Sequence, residues 1–179
     1  TVACAALIRT YTYEFTDMRP LDPWIDVLQS LLAANPRLPS PVAELQVATA
    51  LFLALSFRRP HREPLEACMA RLVELMAGDV PDEDAATACG VLLMHLFNIG
   101  DLTLSEKIAM RLKALYAKGH IAPIGQALGH IQLGRLHFMK REHSAAVRCL
   151  EHVLALADEH AIALPLVKVY AHLNLALCA

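Results

Sequence analysis

Residues 122–160 read APIGQALGHIQLGRLHFMKREHSAAVRCLEHVLALADEH, and this stretch decides the fold. Pro123 follows Ala122 at the point where helical apolar spacing begins. Proline suits a first helical position, because its missing N–H is one that the helix leaves unpaired anyway. The first helix runs past Phe138 to about residue 141 and a short polar link. A second follows, with Ala146, Leu150 and Val153 four and seven residues apart on one face. Two helices with so short a connection form an antiparallel hairpin.

The hairpin recurs along the chain. Phe15, Phe57, Phe97 and Phe138 lie 42, 40 and 41 residues apart, each near the end of a first helix. The second helices carry the same small or apolar pattern, as Cys68, Leu72 and Leu75 and as Ser105, Ala109 and Leu112. Prolines after Asp22, Ser40, Glu63, Val80 and Leu164 open further helices. Asp22 and Ser40 are expected N-caps, and Thr103 with Glu106 is an expected capping box. Gly78, Gly100 and Gly119 fall where left-handed C-caps belong. No segment sustains two-residue alternation. The spacing predicts nine helices over 1–15, 22–34, 41–58, 64–77, 81–99, 103–118, 122–141, 143–160 and 164–179. The class is all-α. The expected architecture is a right-handed α-α superhelix, or solenoid, of about four hairpins plus one extra helix. It forms one helical-repeat domain over 1–179, with units 1–38, 39–79, 80–120 and 121–161 and the extra helix in 162–179. The chain reads as a fragment of a longer array.

Composition agrees with stacked hairpins and narrows the alternatives. Of the 179 residues 56% are hydrophobic and 19% charged, with a net charge of −2. Mean hydropathy is +0.40 and the isoelectric point about 6.5. Disordered chains are poor in apolar residues, so that class is excluded. A slightly acidic chain is not built around a nucleic-acid or anionic-membrane surface, and neither partner is expected. The longest apolar run, Leu45–Phe57, is closed by Glu44 and Arg58, short of the ~20 residues of a spanning helix. Five scattered cysteines without a C-x-x-C pair read as small buried hydrophobes in a reducing cytoplasm.

The unit at 121–161 resembles a degenerate tetratricopeptide repeat. Leu133-Gly134 match the Leu-Gly pair of that pattern, Ala146 matches its Ala, and Leu150 stands in for its Phe. Gly100-Asp101 occupy the turn of the preceding unit, as in such repeats. The Trp and Tyr anchors and the closing Pro are missing, and the units run to about 41 residues rather than 34. In these respects the chain looks like the helical-repeat arms of large bacterial ATP-dependent transcriptional regulators of the maltose-activator type. There the repeats stand between a nucleotidase module and a DNA-binding helix-turn-helix.

Candidate chemistry is sparse. No two of the nine histidines lie at i, i+4, and there is no Cys/His cluster at metal spacing. His130 and His137 share a helix face at the positions where the repeat has its Trp and Tyr. They are expected to be half-buried packing residues with satisfied ring nitrogens. His143, His152 and His160 are expected at the surface. Cys149 and His152 have the minimal spacing for a thiolate–imidazole pair, but Cys149 lies in an apolar stripe. Asp82, Glu83 and Asp84 suit a helix start. Arg58, Arg59, His61 and Arg62 form the one dense basic run, expected to be a solvated loop or a contact to another domain of the parent protein. No catalytic residue, metal or cofactor is expected, and the chain reads as no enzyme.

In tetratricopeptide-like superhelices the first helix of each pair lines the concave wall. The resemblance therefore implies that Phe57, Phe97 and Phe138 lie at or near that wall, with Arg58, Asn98, Arg135, Met94 and Met139 beside them. Phe, Met and Arg are residues that recognition patches favour, while a phenylalanine ladder equally serves as core between repeats. The implied function is a non-catalytic interaction and signal-sensing module of a larger cytoplasmic regulator. Its partners would be a peptide, a protein domain or a small effector, together with adjoining domains of the parent chain. The alternative is a self-association scaffold that forms homodimers.

Overall fold

The computed structural model describes residues 1–14, 17–60, 63–163 and 165–178. Phe15 of the phenylalanine series and His61 and Arg62 of the basic run lie outside them. Among the described residues there are nine helices and no strand. They are α1 (Val2–Glu14), α2 (Leu21–Ala34), α3 (Pro41–Arg58), α4 (Glu63–Met76), α5 (Asp82–Ile99), α6 (Leu102–Ala117), α7 (Pro123–Met139), α8 (His143–Glu159) and α9 (Pro165–Cys178). The fold is all-α. It divides into two compact units, Thr1–Val91 and Leu92–Ala179, with α5 contributing to both.

In the first unit α3 is the central helix, packed by α1, α2 and α4. Every residue from Leu51 to Ser56 is buried. A helix stretch buried on all sides has no polar face to show, and this explains the apolar residues Leu51–Leu55. With its first turn included, α3 reaches 18 residues at a mean hydropathy of 1.2. By length and composition alone it is therefore long enough to cross a membrane, which corrects the shorter sequence estimate. Around it, Ile8 of α1, Leu21, Ile25 and Leu28 of α2 and Leu72 and Met76 of α4 are fully buried. The start of α5 is tied in by Gln46 Nε2, which donates to Asp84 Oδ1 at 2.9 Å.

In the second unit α7 packs on α6, α8 and α9, and α8 packs on α9. Ala127, Ile131, Val153, Leu156, Ala157, Val167 and Ala171 form its core. The α7–α8 crossing is close because Gly134 has no side chain. A Cβ there would lie 3.0 Å from Leu150 Cγ and 3.5 Å from the Ala146 carbonyl oxygen. The residues that align with the repeat pattern are thus the ones that meet. Of the nine second-helix positions singled out by spacing, all are buried except Cys68, which is half-buried.

The helix ends show where local signals yield to tertiary demands. Ser40 caps α3, accepting from the Ala43 N–H at 3.1 Å, and Gly100 and Gly119 adopt φ of 77° and 74°. Asp22, however, is no N-cap: it lies inside the first turn of α2, whose cap is Pro20. The capping box at Thr103 and Glu106 does not form, because Asp101 caps α6 by accepting from the Leu104 N–H at 2.9 Å. Gly78 is not left-handed. Arg141 and Ala161 are, at φ of 62° and 48°. Each closes a helix with a six-residue bond, from Glu142 N–H to the His137 carbonyl and from Ile162 N–H to the Ala157 carbonyl, both 2.9 Å. These bonds satisfy orphan carbonyls and offset the strain of a side chain in left-handed backbone.

Candidate functional site

The eight residues singled out for a recognition wall divide between the two units. Phe57 and Arg58 belong to the first, at the end of α3. Arg58 faces α2, where Nε and Nη2 grip the Asp22 carboxylate at 3.0 and 2.5 Å. Arg59 pairs with Asp26 one turn further along α2, at 2.8 Å. The described part of the basic run is therefore no solvated loop. Asp22 and Asp26 at i, i+4 receive it as a two-rung ion-pair ladder. The Arg58 guanidinium holds the Asp22 carboxyl below its ordinary value.

The other six residues lie in the second unit, and two of them meet. Arg135 of α7 lies over the ring of Phe97 of α5, its guanidinium carbon 5.3 Å from the centroid. This is a cation–π contact, worth more when water is excluded. Phe97 is only 7% exposed, so its ring is the buried floor under the guanidinium. Met94 is half-buried one turn earlier on α5, and Asn98 is exposed. On α7, Met139 is exposed one turn beyond Arg135. Phe138 turns instead to α8, meeting the His143 ring edge-on at 5.6 Å. The Arg135 side chain is half-buried, and burial lowers its pKa from the ordinary arginine value.

A second cluster joins α6, α7 and α8. The Tyr116 ring stacks on His130 at 5.1 Å, and His130 meets His152 edge-on at 4.8 Å. The Tyr116 hydroxyl donates to the Gly125 carbonyl at 3.1 Å. His130 Nδ1 is buried with no hydrogen-bond partner, which corrects the expectation of a satisfied ring. Burial, then the nearby His152 and Lys113, pushes the His130 pKa down to about 4. His137 is satisfied, with Nδ1 2.5 Å from Glu142 Oε2. Lys140 joins Glu142 and Glu106, at 3.3 and 2.8 Å. His143, His152 and His160 are exposed.

The thiols point away from nucleophilic chemistry. Burial raises the Cys149 pKa and pushes that of Cys68 up to about 12, the reverse of what an activated thiolate needs. Among the described residues no group of three or more His, Cys, Asp or Glu side chains could hold a metal ion.

Sequence reasoning missed Tyr116, Asp26 and Tyr170. Gly129 inside a helix was the available signal for Tyr116, since a glycine there asks what crosses the backbone. The acids at i, i+4 on α2 signalled a basic partner. Nothing local marked Tyr170 of α9. No protein-family model, curated protein or solved structure matches the chain.

Proposed function

We propose that the chain is a non-catalytic binding module, recognising its partner through the α5–α7 face of the second unit. The parent protein implied by the repeat resemblance is a larger cytoplasmic regulator of transcription. One observation carries the reading: Arg135 of α7 held over Phe97 of α5, on the helices that also carry Met94, Asn98 and Met139. A guanidinium, an aromatic ring and two adaptable thioethers are what recognition surfaces concentrate. The packing of α7 on both α8 and α9, and of α1 on both α2 and α3, supports the hairpin-repeat reading, since these first helices meet their own partners and the next first helix. An NMR screen of the isotope-labelled chain against peptides and small effectors tests it. Binders should perturb resonances grouped around Phe97, Asn98, Arg135 and Met139. Perturbations grouped elsewhere, or none for any class, would overturn the assignment.

One observation favours self-association as a second reading. Val169, Leu173 and Leu177 form an i, i+4, i+8 stripe on α9, each more than half exposed. Sedimentation at several concentrations separates the readings, because a dimer built on this stripe dissociates on dilution and in Leu173→Glu.

A further inference from the structure

Among the described residues Arg135 has no anionic partner. Its guanidinium rests on the Phe97 ring, and its protein hydrogen-bond acceptor is the side-chain oxygen of Gln132, a long 3.4 Å from Nη1. The titratable group acting on it is the phenol of Tyr170 on α9. Arg19, Arg58, Arg59 and Arg71 each hold a carboxylate, and Arg58 and Arg59 do so from half-buried positions like that of Arg135. Arg135 is half-buried over an aromatic ring instead, and burial is the main influence on its pKa. A guanidinium carries five N–H donors in a rigid fork. One long bond to a neutral amide leaves the other donors facing solvent, open to a ligand. Even partial burial of a cation without an anion to receive it costs stability, and an apolar side chain of similar length would serve packing as well.

We infer that Arg135 anchors the acidic group of a ligand on the α5–α7 face, and that the ligand is a small amphipathic carboxylate. The planar fork matches a carboxylate through two parallel bonds. The ligand's apolar part then lies along α7 toward Met139, which is exposed one turn away. This assignment rests on the binding-module reading of the same face and adds the chemistry of what binds there.

The test uses the whole 179-residue chain, with hexanoate, its neutral analogue hexanamide and inorganic phosphate as probes. The readouts are the Arg Nε–Hε and Met methyl resonances. Hexanoate should shift Arg135 and Met139 saturably, and hexanamide should bind at least about tenfold more weakly. Arg135→Met should abolish the response while melting at or above the wild-type temperature. The inference is overturned by an equal response to hexanamide, by a response to phosphate alone, or by no response to hexanoate. An Arg135→Met variant that melts well below wild type would also overturn it, making the guanidinium a packing element. A neutral ligand that binds this face when hexanoate does not would sink the carboxylate assignment and leave the binding-module reading standing. Perturbations away from α5 and α7 for every ligand would sink both.

Discussion

Gly129 lets the phenol of Tyr116 cross the backbone of α7. A Cβ at that position would fall within the hydroxyl's van der Waals envelope and 2.9 Å from Cζ, with Leu112 Cδ2 at 3.1 Å. The ring cannot retreat cheaply, because it stacks on His130 and its hydroxyl donates to the Gly125 carbonyl. Gly129→Ala should therefore destabilise the protein by about 1–3 kcal/mol, the range for overpacking, despite alanine's better helix propensity. Gly90→Ala is the control, since a Cβ there meets nothing within 4 Å. It should stabilise by up to ~1 kcal/mol. Urea unfolding of the two variants reads the contrast, and equal effects would refute the crossing.

Phe97 decides whether the phenylalanine series is core or surface. At 7% exposure the ring is buried, and its removal leaves a cavity beneath Arg135. Phe97→Ala should cost about 3–5 kcal/mol in chemical unfolding. A cost below ~1 kcal/mol would mean that the ring serves recognition rather than packing.

The helix boundaries were legible in the sequence to within a residue or two, because proline and glycine act locally. Gly134, Ala146 and Leu150 were legible as a set for the same reason: spacing along two adjacent helices specifies which small residue meets which large one. Asp22 was misread because its carboxylate is claimed by Arg58 from another helix, and local capping rules carry no knowledge of that. Arg141 and Ala161 were missed because the ends of α7 and α8 override the preference of left-handed backbone for glycine. Arg135 was legible as a candidate by its place on a first helix. Its lack of an anion was not, since it depends on which side chains α5 and α9 bring near.

The Asp22–Arg58 pair predicts an acid-side loss of stability. The carboxyl's pKa is lowered in the folded protein, chiefly by the Arg58 hydrogen bond. Its contribution is therefore complete above the ordinary carboxylate pKa and fades as pH falls through the lowered folded value. Both side chains are solvent-reached, so the effect is modest. Between about pH 5 and 3, wild type should lose more melting temperature than Asp22→Asn does. Parallel curves would show that the pair adds nothing.

His130 predicts a second dependence, in a different window. Its pKa falls from the ordinary 6.5 to about 4 in the folded protein, so below 6.5 the unfolded chain binds the proton more readily. Stability from this site is complete above about pH 6.5 and declines as pH falls toward 4. The ring cannot accept the proton cheaply: Nδ1 is buried without a partner, His152 stands edge-on, and Lys113 adds like charge. Discounted for the partial reach of solvent, the loss is on the order of 1–2 kcal/mol. His130→Phe keeps a ring to stack on Tyr116 and removes the titration. Melting temperatures measured from pH 7 to 5 should fall more steeply in wild type than in His130→Phe. If both fall alike, the proton is taken up elsewhere and the orphaned nitrogen has no part in the acid response.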